Sequence, residues 1–309
     1  MKVYNALKDY NNHPSVITIG TFDGVHLGHK KIIERLCEFG QNNQLNSLIL
    51  TFFPHPRMVL NKDYNLKLLS TIEEKKTRLE ALGVDALVIE PFTIDFANLS
   101  AEDYVKTVLV DQLNAKHIII GYDHRFGKNR TANIDDLKFY GSSLGFTVEE
   151  IPAEDIEAVS ISSTKIRHAL HEGLIEKANR YLGDHYTIQG IVVKGKGIGK
   201  SLNYPTANIK INSDLKLIPK HGVYIVKCLI DNKFCWGMMN IGVNPTFDNN
   251  ELSIEVHFLD YDGDLYGNAL NIELLKHLRN EKKFNSIENL KNQIALDESQ
   301  TRDFIKNHV

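Results

Sequence analysis

The regular alternation of short apolar runs with amphipathic stretches over residues 1–183 constrains the fold most strongly. Five runs rich in Ile, Val and Leu have the length of buried strands: Val16–Gly20, Ser47–Phe52, Ala86–Ile89, His117–Gly121 and Thr147–Ile151. Six stretches with helical periodicity accompany them: Lys30–Gln41, Thr71–Leu82, Ala101–Leu113, Ile134–Leu144, Ser163–His171 and Ile175–Leu182. This alternation predicts a Rossmann-like α/β domain, a parallel sheet with helices on both faces. Ser70-Thr71 and Ser100 stand where N-caps are expected.

The pattern changes after Gly183-Asp184, which predicts a first domain over residues 1–183 and a second over 184–309. Glycine or Asn/Asp turns separate four strand-like runs: Tyr186–Lys194, Val223–Leu229, Phe234–Ile241 and Leu252–Leu259. Such spacing predicts an antiparallel barrel or sandwich. We expect two helices to follow it, at about Leu270–His277 and Ile287–Asn307.

Composition excludes several classes of protein. The chain has 36 basic and 39 acidic residues, a net charge of −3, and neither half shows the basic excess of a nucleic-acid binder. Its 3 cysteines include no CxxC pair, so we expect buried free thiols rather than a disulfide framework or a zinc site. No signal peptide or transmembrane-length run is visible, so we expect a cytoplasmic protein without a membrane partner. The oligomeric state stays open.

The sharpest motif of the first domain follows its first predicted strand. Two histidines, His26 and His29, stand three residues apart with Gly28 between them, where the chain enters a helix. Unpaired amides and the helix dipole favour phosphate there, and histidines can donate hydrogen bonds to phosphate oxygens. A pair of surface histidines after a tight turn is the alternative, and for a bare HxGH it is the commoner case. The strand–loop–helix context favours a phosphate site.

A second candidate phosphate element is Ile161-Ser162-Ser163-Thr164-Lys165-Ile166-Arg167. Consecutive hydroxyls at a helix start, with an arginine one turn later, can bind an anion. Taken alone, the segment is as well explained by ordinary N-capping.

Glycines on alternate positions begin the candidate site of the second domain. Gly195-Lys196-Gly197-Ile198-Gly199-Lys200 follows a predicted strand, and its backbone amides can lie over phosphates. Pro205-Thr206-Ala207-Asn208 then supplies a hydroxyl and a carboxamide, oxygen ligands suited to Mg²⁺ shared with ATP. A glycine-rich hairpin followed by an ordinary strand is the alternative.

Ser253-Ile254-Glu255-Val256-His257 alternates along a predicted strand and puts Glu255 and His257 on one face. A carboxylate in a phosphotransfer site can accept the proton of the attacking alcohol. On local sequence alone, a solvated strand face explains the pattern equally well.

The first domain resembles the HxGH nucleotidyltransferases and, among them, the FAD synthetase domain of bacterial riboflavin biosynthesis proteins. The resemblance to the FAD synthetase domain in particular depends on two segments, Thr51-Phe52-Phe53-Pro54-His55-Pro56-Arg57 and Gly121-Tyr122-Asp123-His124-Arg125-Phe126-Gly127. The resemblance implies catalysis by His26 and His29 within an ATP site made of Gly20, Phe22, Asp23, Gly24, His26, Gly28, His29, Ser162, Ser163, Thr164 and Arg167. It implies an FMN site that contains His55, Arg57, Asp123 and Arg125. Phe53 and His124 replace the acidic residue and the Phe that are usual there.

The second domain resembles riboflavin kinase, whose fold is a six-stranded antiparallel β-barrel with C-terminal helices. The resemblance implies that Thr206 and Asn208 bind Mg²⁺ and that Glu255 is the catalytic base. It implies an ATP site of Gly195, Lys196, Gly197, Gly199, Lys200, Pro205, Thr206 and Asn208, and flavin contacts from Arg279, Glu281 and Phe284, with Arg279 in a loop. ATP, riboflavin and FMN are then substrates. Lys200, Asn203 and Tyr204 replace the usual Arg, Gly and Phe, and Asn tolerates positive φ.

Two other functions compete with this one. Another HxGH enzyme could adenylylate phosphopantetheine or nicotinamide mononucleotide, but it would have no use for the Thr206–Asn208 segment or for Glu255. A non-enzymatic flavin or nucleotide sensor could use the same domains, although such a protein has no need to keep His26, His29 and Glu255 together.

Overall fold

The structure is a computed structural model that describes residues 1–61, 65–122, 124–152, 161–195, 197–245 and 250–308. The chain divides into two compact units, Met1–Ser163 and Thr164–Val309, and each is described by itself. The boundary predicted at residue 183 lies two helices further along the chain and stays a prediction.

The first unit is built on a six-stranded, fully parallel sheet with strand order β1-β4-β3-β2-β5-β6. Its strands are β1 (Lys2–Tyr4), β2 (Ser15–Ile19), β3 (Asn46–Phe52), β4 (Ala86–Glu90), β5 (Ala115–Gly121) and β6 (Thr147–Ile151). All five predicted strands are confirmed, and β1 is an additional edge strand. Strand β2 lies between β3 and β5. The chain first adds β3 and β4 on one side of β2, and it then crosses over to add β5 and β6 on the other side. Parallel α/β sheets bind ligands at the carboxyl ends of strands beside such a switch point.

Alternate residues of the central strands form two separate cores, one on each face of the sheet. The first contains Ile17, Leu48, Leu50, Val88, Ile118 and Ile120. The second contains Val16, Ile49, Leu87 and Ile119. Both faces of every central strand are therefore apolar, which explains the continuous apolar runs in the sequence.

Helices cover both faces, as predicted. The elements are α1 (Leu27–Asn43), α2 (Pro56–Leu60), α3 (Ile72–Ala81), α4 (Ile94–Ala97), α5 (Ala101–Asp103), which continues as a π-helix over Tyr104–Gln112, and α6 (Ile134–Leu144). Helices α1 and α3 pack on one face, and the π-helix and α6 on the other. Thr71 and Ser100 are the N-caps of α3 and α5, and Thr71 forms a capping box with Glu74.

The second unit is a closed barrel preceded by two helices and followed by one. Its elements are α7 (Ser163–His171), α8 (Ile175–Leu182), β7 (Tyr186–Val193), α9 (Ile198–Ser201), β8 (Ala207–Ile211), β9 (Gly222–Ile230), β10 (Lys233–Pro245), β11 (Asn250–Phe258), β12 (Ala269–Asn280) and α10 (Ile287–His308). The strand order around the barrel is β10-β11-β8-β7-β12-β9, and every pair is antiparallel. The six-stranded barrel implied by the resemblance is confirmed.

The helix predicted at Leu270–His277 is wrong, because these residues belong to strand β12. Its residues favour a helix individually, but Leu270, Ile272 and Leu274 are buried at alternate positions. Strand β12 pairs with β7 on one side and with β9 on the other, which closes the barrel. Long-range pairing on both edges outweighs the small local preference for helix.

Helices α7 and α8 are bound to the barrel. The amide of Lys220 donates to the carbonyl oxygen of Leu170 at 3.0 Å. The Asn179 side chain donates to the carbonyl oxygen of Leu274 and accepts from the amide of Tyr186, both at 2.8 Å. All three cysteines are free; Cys37 and Cys228 are buried and Cys235 is half-buried.

Candidate active sites

The Gly20–His26 loop at the carboxyl end of β2 is held in place by the segment that leads into α3. The carboxylate of Asp23, only 2% exposed, accepts hydrogen bonds from the amides of Leu69 and Ser70 at 3.0–3.2 Å. The Ser70 hydroxyl accepts from the amide of Gly24 at 3.1 Å. Asp23 therefore shapes the loop; the ATP contact implied for it stays a prediction.

His26 is the N-cap of α1. Its Nδ1 accepts a hydrogen bond from the amide of His29 at 3.4 Å, and the two imidazole rings stack with centroids 3.6 Å apart. Because Nδ1 accepts, the neutral ring carries its proton on Nε2. His26 is thus held as an Nε2–H tautomer at a helix N-terminus, where a donor and the helix dipole both favour phosphate.

His29 has a buried Nδ1 that forms no hydrogen bond with any residue the structure describes. Burial lowers the pKa of His29 well below its usual range, and the neighbouring His26 and Lys75 lower it further. Phe22 packs against the ring edge, with centroids 5.1 Å apart. The imidazole is therefore neutral in the resting protein and has capacity for a hydrogen bond with a ligand.

Two predicted glycines keep this loop compact. A Cβ on Gly20 would stand 3.0 Å from the Phe22 ring, and Gly24 has a φ of 82°, in the left-handed region. Gly28 is buried in the first turn of α1.

Only part of the serine-rich element can be placed against this loop. Ser163 is the last residue of the first unit, and its hydroxyl donates to the carbonyl oxygen of Asp23 at 3.0 Å. Ser162, which precedes it, is half-buried. Thr164 and Arg167 lie on α7 within the second compact unit, so their contribution to the ATP site stays a prediction.

The residues implied for FMN lie in two segments. His55 caps α2 by accepting from the amide of Arg57 at 3.1 Å, and Arg57 and Arg125 are exposed. Asp123 falls outside the described residues. A chain of neighbouring aromatic rings, with centroids 5.4–6.0 Å apart, runs from β3 to the Arg125 loop: Phe52, Phe96, Tyr104 and Phe126. No sequence motif predicted this row.

Lys75 is the second feature that sequence reasoning missed. Its side chain is 6% exposed, and its Nζ donates to the carbonyl oxygen of Thr21 at 2.7 Å, at the start of the histidine loop. The signal was present, since Lys75 lies on the apolar stripe of α3 with Ile72 and Leu79.

In the barrel, four predicted residues meet where β8 and β11 pair. The Thr206 hydroxyl donates to one carboxylate oxygen of Glu255 at 3.0 Å, and the Ser253 hydroxyl donates to the other at 3.0 Å. Asn208 stands directly opposite Glu255 in the register, so both side chains emerge on the same face. A Cβ on Gly195 would stand 2.0 Å from the Asn208 amide nitrogen, so the glycine backbone lies against that carboxamide.

The rest of the glycine segment turns into α9. Gly197 is the N-cap of this helix and has a φ of 72°. Asn203 has a φ of 65°, the positive value expected of a residue that stands where glycine is usual. A Cβ on Gly199 would stand 2.3 Å from the carbonyl oxygen of Tyr204. Lys200 is exposed on α9, and Lys196 falls outside the described residues. His257 Nδ1 donates to the carbonyl oxygen of Pro205 at 2.8 Å, because a carbonyl oxygen can only accept.

The residues implied for flavin in the kinase lie at the end of β12 and just beyond it. Arg279 belongs to β12 rather than to a loop, and its guanidinium pairs with Asp297 of α10. The Phe284 ring lies 5.8 Å from the Arg279 guanidinium carbon. The Glu281 side chain lies against Gly242, and a Cβ added to Gly242 would stand 2.4 Å from a carboxylate oxygen of Glu281. Their flavin contacts stay predictions.

One cavity of about 650 Å³ lies elsewhere in the second unit, between the β9–β10 turn and α10, and no predicted site residue lines it. Among the described residues, no helix has the length and apolarity needed to span a bilayer. The predicted cytoplasmic location and the expected absence of a nucleic-acid partner stay predictions.

Two family models match the chain, one in each half. The FAD synthetase model matches residues 8–165 and the riboflavin kinase model matches residues 182–305. The bifunctional riboflavin kinase/FMN adenylyltransferase of Listeria monocytogenes is 40% identical and the match covers 94% of this chain and 92% of the relative. That of Escherichia coli is 35% identical, with 98% of each chain covered. The chain belongs to the bifunctional riboflavin kinase/FMN adenylyltransferase family.

Within this bifunctional family the FAD synthetase domain comes first and the riboflavin kinase domain second, as the two motif sets predicted. The fold is also shared with a solved structure, a macrolide-efflux protein from Streptococcus pneumoniae. It superposes with a TM-score of 0.88 at 30% identity, over 97% of this chain and 98% of the other.

Proposed function

We propose that the barrel transfers the γ-phosphate of ATP to the terminal hydroxyl of riboflavin, and that the first unit then transfers AMP from a second ATP to the FMN produced. The observation that carries the proposal is the cluster of Thr206, Asn208, Glu255 and Gly195, which combines oxygen ligands, a carboxylate and a close glycine backbone.

Glu255 is the base of the proposed kinase reaction. Its carboxylate accepts the riboflavin hydroxyl proton as the new O–P bond forms and the bond between the γ-phosphorus and the ADP oxygen breaks. Hydrogen bonds from Thr206 and Ser253 hold the two carboxylate oxygens in position.

Thr206 and Asn208 would hold the Mg²⁺ that accompanies ATP. A hydroxyl and a carboxamide beside a carboxylate form an all-oxygen donor set, which fits a hard divalent cation. The Thr206 proton points to Glu255, so the lone pairs of its oxygen are directed elsewhere and are suited to a cation. When bound, Mg²⁺ would neutralise phosphate charge.

The adenylyl transfer requires no base. The FMN phosphate has a second pKa near ~6 and is largely dianionic at neutral pH, so it is already nucleophilic. The protein must align this phosphate with the α-phosphorus of ATP and stabilise the charge that pyrophosphate carries away. The Nε2–H of His26, the imidazole of His29 and the amides of α1 are the donors proposed for this task.

Two point variants of the full chain test this division of labour. Glu255→Gln should lower the rate of FMN formation by about 10²–10⁴-fold while supplied FMN still becomes FAD. His29→Ala should lower FAD formation by roughly 10²-fold and leave FMN formation unchanged. Exposed residues of the same types provide controls, and Glu288→Gln and His13→Ala should change neither rate. Loss of both activities from either site variant in a folded chain would refute the assignment.

The same two variants test whether FMN released by one molecule can be used by another. Mixed together with riboflavin and ATP, they should produce FAD after a lag during which free FMN accumulates, because the intermediate must leave one molecule and enter another. Chromatography of timed samples measures this lag.

A further inference from the structure

Lys75 lies behind the histidine loop and joins three parts of the first unit. Its Nζ, on α3, donates to the carbonyl oxygen of Thr21 at 2.7 Å and faces the hydroxyl of Thr51, at the end of β3, at 3.5 Å. Thr51 in turn donates to the same Thr21 oxygen at 3.3 Å. The backbone from which the histidine loop starts is therefore held by two donors.

The Lys75 ammonium makes no ion pair with the carboxylates of the described residues. The titratable groups that interact with it are Asp23 from the loop and His29 from α1. On its own helix, Glu74 accepts from the amide of Thr71 and Arg78 donates to the carbonyl oxygen of Gly24. Asp23 is bound to the amides of Leu69 and Ser70. A buried cation without a paired anion is costly, and an apolar residue would fill this stripe of α3 without that cost.

The charge of Lys75 acts on the neighbouring histidine. Burial lowers the pKa of Lys75 to about 8, while Asp23 opposes the shift, so the ammonium is still mostly protonated at neutral pH. Its positive charge in turn helps to lower the pKa of His29. An incoming polyphosphate would supply the negative charge that this region lacks.

We propose that Lys75 is a positioning residue of the adenylyl-transfer site, which holds the start of the histidine loop through Thr21 and places a buried positive charge near His29. This proposal rests on the proposed role of His26 and His29. Lys75 acts through these groups and is assigned no contact with substrate.

The test compares Lys75→Arg and Lys75→Met with wild type in the full chain. Conversion of FMN to FAD is measured from pH 6 to pH 10, with kcat and KM obtained for ATP, and riboflavin phosphorylation is measured on the same samples. Lys76→Met is the matched control, since Lys76 is the adjacent lysine and makes only a surface pair with Glu73.

Lys75→Met should lower kcat/KM for ATP in FAD formation by about 10- to 100-fold, as expected when a reacting group is misplaced by a fraction of an ångström. Lys75→Arg should retain most of the activity. In wild type, kcat/KM should fall as pH rises through about 8 and Lys75 loses its proton. This decrease should be absent from both variants between pH 6 and pH 10, because methionine carries no proton there and arginine keeps its charge. FMN formation by each variant should match that of wild type at every pH.

A second readout is the His29 imidazole resonance in the ligand-free protein. Removing the nearby positive charge should raise the pKa of His29 in Lys75→Met, whereas a purely packing role would not change it. Full FAD synthesis by Lys75→Met, or an unchanged pH profile with an unchanged His29 pKa, would overturn the proposal. If His29→Ala itself keeps full FAD synthesis, the assignment of the histidine loop fails instead.

Discussion

The guanidinium of Arg279 is held by the buried carboxylate of Asp297, with three nitrogen–oxygen distances of 2.8–3.0 Å. Gln293 donates a further hydrogen bond to the same carboxylate at 2.9 Å. Asp297 is 3% exposed on the inner face of α10, while Arg279 belongs to β12. The pair therefore fastens the C-terminal helix to a barrel strand, and it gives Arg279 a structural role besides any flavin contact.

Asp297→Ala should destabilise the barrel by about 3 kcal/mol, because it leaves a mostly buried guanidinium without its partner. Trp236 is the single tryptophan of the chain, and its ring lies 6.4 Å from that of Phe304 on α10. Urea titration followed by tryptophan fluorescence therefore reports on this part of the chain.

Asp303→Ala is the control for that change. Asp303 lies on the same helix and makes only an exposed pair with Lys306 at 4.0 Å, which should contribute almost nothing to the free energy of unfolding. Equal midpoints for Asp297→Ala and wild type would show that the pair does not hold the helix.

Gly195→Ala should disable the kinase without unfolding the barrel. The added methyl would stand 2.0 Å from the Asn208 amide nitrogen, and the flexible carboxamide must turn away from the proposed Mg²⁺ site. FMN formation should fall, and FAD formation from supplied FMN should not change.

A double-mutant cycle shows whether this loss acts through Asn208. Asn208→Ala alone should also lower FMN formation, and adding Gly195→Ala to it should cause little further loss. Fully additive losses would mean that the glycine acts on another part of the site.

Lys200→Ala should raise the ATP concentration that the kinase requires by about tenfold, since a charge-assisted contact to phosphate would be lost. The KM for ATP is measured separately for the two reactions. FAD formation should keep its KM, and an equal rise in both would indicate general damage to the protein.

A truncated chain that begins at Thr164 should be a more stable riboflavin kinase than one that begins at Gly183. Helices α7 and α8 bury Ile166, Leu170, Ile175 and Leu182 completely. Removing them would expose apolar surface on the barrel, at a cost of about 25 cal/mol per Å². Thermal unfolding and FMN formation of the two truncated chains measure the difference, and neither should produce FAD. Equal stability would favour the boundary at residue 183.

The alternating apolar runs were sufficient to predict the parallel sheet. Strands that are buried on both faces, such as β3 and β5, are apolar at nearly every position, so a few consecutive residues are enough to recognise them. Helix caps are equally local, and Thr71 and Ser100 could be assigned from their neighbours along the chain. The paired motif sets likewise predicted the family and the order of its two domains.

What only the tertiary structure decided depends on partners far apart along the chain. Strand β12 contains good helix formers, and its conformation follows from pairing with β7 and β9, which no local window contains. Lys75 and Asp297 are charged residues on the inner stripes of their helices, so periodicity could mark them as unusual. Only the fold supplies their partners, Thr21 and Arg279, because burying a charged group is tolerable only where donors and acceptors from distant segments meet it.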